Sequence, residues 1–498
     1  MLLAFAVLSA ALTAGAEQVP ETTGVAVGAD DSEVQPVSVE NSRHITDPVF
    51  SGDIPETIEE PPPPPETDAE RLRRLFTLYR NAIAESSFEE ADTLGKQIVE
   101  LTIETNGRNS EESARALTNL AIAQHGMGDY ESAQLNFSAS IDIIETVRNR
   151  LDPALINPLR GLGASQLAAG RPDLASESFE RAVHVSHVND GPHNLEQLEL
   201  LESLAETYLA GGEADLTKDM QERIYILQAR NIDPDSVEIL PALYRQAQWQ
   251  RRLELYDKER YTWRRVISLL EDHHGRDDLS LIAPLTELGQ SYLYISPVDI
   301  GYQQPASTAT GEIYLKRALR IAEDHPDTNW RVKSDAIIEL ADYYILTGRS
   351  NRAERVYRDA WELMSGDEER QRARYEALQT LQVLQAIRPP KFYGVDSTTV
   401  PARRPEGFET GTVVYQYAVS TRGTATDIEL VEMQPAGLSD METSVGRELR
   451  HLIQRPRLVD GDMVQTNNLT YTHSFYYRPS DLPDTTGEGE SLAGNTQN

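Results

Sequence analysis

Histidines or carboxylates spaced to share a metal or to serve a nucleophile would be the first sign of chemistry in this chain. Few candidates exist. His184 and His187 stand three apart, a spacing that can put two ligands on one helix face. No third ligand accompanies them, so partly exposed helix-end residues are the expectation. His273 and His274 are adjacent, and adjacent side chains diverge. The sequence holds no GxxxxGK[ST] phosphate loop, GxSxG elbow, HExxH helix or GxGxxG strand–helix junction. It has no cysteine, which excludes disulfides, thiolate zinc sites, iron–sulfur clusters and a thiolate nucleophile. Its many Asp and Glu pairs read as solvated helix faces. No catalytic residue, metal site or cofactor is expected, and the chain is not read as an enzyme.

The charge balance narrows the partners. Among 498 residues, 80 are acidic and 46 basic, a net charge of −34. Phosphate-backbone binding needs clustered Lys and Arg, so nucleic acid is excluded as a partner. Anionic lipid surfaces would repel such a chain. A hydrophobic content of 39% suits an elongated protein of several modules better than one large core.

Leu2 to Ala16 is an apolar run ending in Ala14-Gly15-Ala16, with the small residues of a secretory cleavage site. It falls short of the about 20 residues that span a bilayer. No Lys or Arg precedes it. Residues 1–16 are therefore expected to be a signal peptide that exports the chain. An uncleaved, membrane-anchored segment is the alternative. Residues 17–70 carry 14 acids and one base, Arg43, and contain Pro61 to Pro65. That composition buries too little surface to offset chain entropy, so a disordered acidic, proline-rich linker is expected.

The elements that would position any binding residues come next, and they repeat. Gly128, Gly170 and Gly212 are spaced by 42, as are Ala91, Ala133 and Ala175. Units start at 72, 114, 156, 198, 240 and 282, and a seventh starts at 334 after ten extra residues. The fourth position reads Leu75, Leu117, Leu159, Leu201, Leu243, Leu285 and Ile337. The seventh reads Leu78, Leu120, Leu162, Leu204, Gln246, Leu288 and Leu340. The eighth is mostly small: Tyr79, Ala121, Gly163, Ala205, Ala247, Gly289 and Ala341. Apolar residues at i and i+3 with a small residue at i+4 make one face of a helix that a second helix approaches closely. Glycine follows at the turn, where a helix end takes positive φ. The second helix presents Tyr130, Ala133 and Phe137, or Ala353, Tyr357 and Ala360. The fifth unit is degenerate at Gln246 and Glu259. The sixth is interrupted at Ser296–Gly311.

This Leu–Leu–small–Gly–Tyr–Ala–Phe–Ala pattern resembles the tetratricopeptide (TPR) repeat, with the 42-residue spacing of kinesin light chains. The resemblance implies a mostly α, right-handed solenoid of helical hairpins over 72–388, closed by a capping helix from Arg374 to Ile387. It also implies a concave face, lined by the first helices, that holds a peptide or partner helix. In this chain that face would comprise Arg80, His125, Arg160, Glu202, Glu206, Tyr244, Gln248, Arg251, Gln290, Tyr294 and Asp342.

After Pro389-Pro390 the pattern changes. Val413, Tyr415, Tyr417 and Val419 alternate as a strand, Arg422-Gly423 marks a hairpin, and a second strand runs from about Thr426 to Met433. Ser439-Asp440-Met441-Glu442 reads as a capping box for a helix that buries Met441, Val445, Leu449 and Leu452. Asp460-Gly461 is a turn, and Leu469 to Tyr477 alternates again. The stretches Gly411–Val414, Tyr417–Gly423, Asp427–Val431 and Arg455–Gly461 together resemble the C-terminal domain of TonB-type proteins. That implies a small α+β ββαβ domain over 392–480. A disordered tail is expected over 481–498. Family members add a segment of an outer-membrane receptor as a strand at a sheet edge. The implied edge carries Leu469, Tyr471, His473, Phe475 and Tyr477. An energy-transducing TonB has a transmembrane helix and a long proline-rich spacer. Here one five-proline run stands in their place, so direct energy transduction is not expected.

Taken together, the sequence implies a non-catalytic periplasmic scaffold of a Gram-negative bacterium that binds proteins or peptides, with an outer-membrane receptor among the partners the TonB resemblance implies. The alternative is a membrane-tethered accessory to TonB-dependent receptor transport. Contact with the membrane follows only if the N-terminal segment is retained.

Overall fold

The computed structural model describes residues 66–230, 232–294, 308–395 and 407–482, with the backbone alone for 308–310. The expected signal peptide, the linker up to residue 65, most of the Ser296–Gly311 insertion and the tail beyond residue 482 lie outside the described residues. The chain divides into two compact units, Met1–Ala169 and Gly170–Asn498. Among the described residues, no helix is long and apolar enough to cross a membrane.

The first unit contains α1 (Asp68–Ala84), α2 (Phe88–Asn106), α3 (Glu111–Gly126), α4 (Tyr130–Val147) and α5 (Ile156–Ala168). Caps define where these helices start. Thr67 and Glu70 form a reciprocal capping box on α1, and Ser110 and Asp129 accept from the third amide of α3 and α4. Small residues set the spacing of the hairpins. Ala121 is fully buried, and a Cβ built on Gly161 would meet the Phe137 ring at 2.3 Å. Leu78, expected on the apolar face, is 40% exposed. It lies on α1, and no earlier helix among the described residues covers it.

The second unit continues the pattern. It contains α6 (Pro172–Asp190), α7 (Leu198–Ala210), α8 (Ala214–Ala229), α9 (Leu240–Arg252), α10 (Tyr256–His274), α11 (Ile282–Ser291), α12 (Thr308–Asp324), α13 (Trp330–Leu346) and α14 (Ser350–Leu363). A polar residue launches each hairpin in register. Asn194, Ser236 and Asp278 each cap a short 3-10 turn that runs into the following helix, as Asp152 does in the first unit. The repeat leucines Leu201, Leu204, Leu243, Leu285 and Leu288 are all buried. The chain is thus a series of TPR-like helical hairpins.

The helical run ends differently from the expectation. The capping helix over Arg374–Ile387 does not form. Instead, α15 (Glu368–Arg374) passes into a π turn over Tyr375–Gln379, and the chain then extends as strand β1 (Gln382–Gln385). β1 pairs antiparallel with β4 (Ile453–Arg455), so residues on both sides of the expected 388/392 boundary share one sheet. That pairing satisfies backbone groups of an extended segment that a helix end would have left open.

Three strands form the main sheet in the order β3-β2-β7. They are β2 (Glu409–Val419), β3 (Ala425–Gln434) and β7 (Thr466–Tyr477), all antiparallel. Helix α16 (Ser439–Leu449) covers one face. Its Met441, Val445 and Leu449 pack with Leu452, Val413, Tyr415, Tyr417, Phe475 and Tyr477 in one cluster. The capping box expected at Ser439–Glu442 is absent, and Leu438, a fully buried residue, holds the N-cap position without a side-chain hydrogen bond. Burial of that leucine decides where the helix starts. A hairpin of β5 (Arg457–Val459) and β6 (Asp462–Val464) turns at Asp460-Gly461, both at positive φ.

Candidate protein-binding surfaces

Each first helix of the second unit presents polar residues on its free face, and these residues bind one another. Glu202 on α7 pairs with Arg245 on α9, and Glu206 takes both nitrogens of Arg252 at 2.5 and 2.7 Å. Arg251 lies between Glu259 at 2.7 Å and Glu287 of α11 at 2.6 Å. Gln290 donates to Glu339 of α13. Asp342 of α13 holds Arg455 of β4 through two bonds of 2.8 and 2.5 Å. Every step from one first helix to the next therefore carries a polar link, and the last link is to the C-terminal sheet.

This arrangement changes the reading of the expected groove. Asp342 is only 6% exposed and fully engaged, so it does not line an open surface. His125, in the first unit, is likewise buried at 4% exposure. Its Nδ1 lies 2.9 Å from Ser165 Oγ, and burial lowers its pKa to about 4. The small side chains that allow close helix approach bring both groups inside. Burial also raises the pKa of Glu202 against the pull of Arg245. Arg160 and Tyr244 are half-buried, and Tyr244 sets its ring edge against Trp263 at 5.3 Å. Arg80 and Gln248 are exposed. Tyr294 is exposed and stacks on Tyr256 at 5.1 Å, beside a cleft of about 390 Å³ that Leu293, Leu346 and Leu384 also line. Where the fifth unit degenerates, Gln246 and Gln250 floor a second cleft of about 410 Å³.

The other candidate surface is the edge of the main sheet. β7 bonds to β2 on one side only, so it is an edge strand. Tyr476 turns its main chain away from β2, donating to Lys391 O and accepting from Tyr393 N, each at 2.8 Å. In an antiparallel pair, main-chain direction alternates by residue. Thr470, Thr472 and Ser474 must therefore face outward too, and among the described residues no main-chain partner meets them. The residues expected from the sequence are the opposite set. Leu469, Tyr471, His473, Phe475 and Tyr477 direct their main chain towards β2, and their side chains lie on the α16 face. Phe475 and Tyr477 are buried in the core, at 0% and 6% exposure. Alternation of hydrophobicity marks the core face, whereas the open rim belongs to the residues between. That offset was the available signal.

Among the described residues, no group of three or more His, Cys, Asp or Glu is placed to hold a metal ion. His184 and His187 both lie on α6.

No protein-family model matches the sequence, and no curated protein matches it. Solved structures similar to parts of the chain include TPR-like repeats of a kinesin light chain from Podosopora anserina. That match has 18% identity and a TM-score of 0.38, covering 42% of this chain and 99% of the other. The C-terminal part of a TPR repeat-containing protein from Cytophaga hutchinsonii matches at 13% identity and a TM-score of 0.38, over 60% of this chain and 98% of the other. A signal-transduction ATPase with a tetratricopeptide repeat sensor from Pyrococcus horikoshii matches at 16% identity and a TM-score of 0.37, over 62% and 45%. At these TM-scores the repeat fold rests on the hairpins described above.

Proposed function

We propose that this protein is a non-catalytic scaffold that takes an extended segment of a partner protein as an added strand on β7. The observation that carries the reading is the outward row of main-chain groups at Thr470, Thr472 and Ser474. Such a row offers a partner several hydrogen bonds in fixed register, with little demand on its side chains. The helical hairpins hold this sheet and give further exposed positions such as Arg80, Gln248 and Tyr294. Glu202, Glu206, Glu287 and Asp342 along the first helices are each paired with an arginine, which supports a binding role.

The strand–strand–helix–strand order supports kinship with TonB-type C-terminal domains, and the apolar Leu2–Ala16 run supports export to the periplasm. On that reading the incoming strand comes from a periplasmic protein or an outer-membrane receptor. Accessory service to TonB-dependent transport from a membrane tether is the second reading, favoured if the apolar N-terminus is retained in the mature chain.

The test is Thr472→Pro in the full chain. Its N–H faces outward, so proline there removes a rim donor and leaves the β2 ladder intact. A partner strand retained by the unmodified protein should be lost by the variant, while the far-ultraviolet spectrum stays unchanged. Equal retention by both would place the binding surface elsewhere.

A further inference from the structure

We infer that residues 390–393 form a displaceable strap that competes with a partner for one end of the β7 rim; this rests on the strand-addition reading above. The strap pairs main chain to main chain with the sheet at one residue. Tyr476 donates its N–H to Lys391 O, and Tyr393 donates its N–H to Tyr476 O, which makes a single parallel bridge between Phe392 and Tyr476. His473 Nε2 donates to Pro390 O at 2.8 Å. Phe392 supplies the apolar anchor. It is 4% exposed, with its ring 5.2 Å from Tyr476 and edge-on to Phe408 at 5.6 Å.

The sequence of the strap explains why it stops there. Continued in this parallel register, Lys391 N–H would face Ser474 O and the next donor would be Pro389, which has no N–H, so the ladder cannot run on to Thr472. On the other side Gly394, at φ 65°, turns the chain away. The strap thus occupies the Tyr476 end and is barred from zipping on past Ser474. A partner limited to Thr470–Ser474 can bind beside it. A longer partner strand must displace it, and an intramolecular strap opposes that with the high effective concentration of a tethered segment. The strap therefore sets how long a partner must be before it exposes the whole edge.

Residue-resolved hydrogen exchange on the full chain tests this. In the unmodified protein three classes of amide are expected. Thr472 and Ser474 exchange fastest. Tyr476 is at least about tenfold slower, and Phe475, which bonds to β2, is about tenfold slower again. Phe392→Ala should bring Tyr476 up to the Ser474 rate with Phe475 unchanged. Tyr393→Pro, which deletes one N–H and the half-buried Tyr393 ring but leaves Phe392, should do the same if the alanine variant folds poorly. A labelled peptide copying Arg388–Val395, added in trans, should bind the Tyr393→Pro chain at least about tenfold more tightly than the unmodified chain. Exchange of Tyr476 together with Phe475 would make the strap an integral part of the sheet and overturn the inference. So would exchange together with Ser474 in the unmodified protein, or peptide binding that is equal or absent in both chains. Loss of partner retention in Thr472→Pro is read separately, so strand addition can fail while the exchange order stands.

Discussion

Arg455 of β4 grips Asp342 of α13 fork to fork, across 113 residues of sequence, with both side chains almost wholly buried. The remaining guanidinium nitrogen donates to Ala377 O at 2.6 Å, and Tyr357 donates its hydroxyl to the same carboxylate. Neighbouring groups complete the junction. Arg457 donates to Gln379 O, and Leu458 is fully buried among Ile337, Leu340, Ala341 and Leu378. A leucine so buried contributes about 1.5–3 kcal/mol. The C-terminal sheet therefore closes the last hairpin. It supplies the arginine and the leucine that the first helix of another repeat would have brought.

Breaking one side of this pair should be costly. Asp342→Asn or Arg455→Met leaves a buried charge uncompensated, which costs about 3–5 kcal/mol. The double variant Asp342→Leu/Arg455→Met removes both charges and should recover most of that loss. Urea unfolding of the second unit's transition checks the cycle. Single variants within about 1 kcal/mol of the unmodified protein would mean that the pair is an exposed, screened contact.

The hairpin turns make a second prediction. Gly128, Gly170 and Gly212 take positive φ, as glycines at helix ends do. One repeat before and one repeat after them, Ser86 and Glu254 hold the same backbone at φ 57°. A side chain there costs about 1 kcal/mol relative to glycine. Ser86 is exposed, so Ser86→Gly should raise stability by about 0.5 kcal/mol, and Gly128→Ala should lower it by about 1 kcal/mol. Chemical denaturation of each single variant checks the pair. Opposite signs are expected, and a loss in Ser86→Gly would contradict the strain argument.

These same turns show how far the sequence could be read. Glycine punctuation and the Leu–Leu–small spacing located the hairpins, because close helix approach demands small residues at fixed intervals. Ser86 and Glu254 hid two of the turns, since backbone geometry was conserved there without its usual residue. Period-two alternation located β2 and β7, and the Met441, Val445 and Leu449 face located α16. The junction at Arg455 stayed hidden. Its partners lie about a hundred residues upstream, and no local period reports a long-range ion pair. The same holds for β1, whose Gln382–Gln385 segment reads as helix until β4 is there to pair with it. The burial of His125 and Asp342 was missed for a related reason. Helical phase alone cannot tell a free face from one covered by the next repeat.

Glu339 gives a pH signature with a definite sign. Burial, helped by the nearby Asp342 and Glu287, raises its pKa from 4.5 to about 7, while the Gln290 amide and Arg455 pull the other way. The folded state therefore holds the Glu339 proton more tightly than the unfolded state. Its contribution to stability is greatest below pH 4.5 and is lost as the pH rises towards 7. Glu339→Gln stays neutral at every pH and keeps an acceptor for Gln290. Its stability relative to the unmodified protein should climb between pH 4.5 and 7 and level off on either side. Denaturation curves below, inside and above that window measure the difference directly. A flat difference would mean that Glu339 titrates as an ordinary surface carboxyl, and that the polar link between α11 and α13 is solvated rather than enclosed.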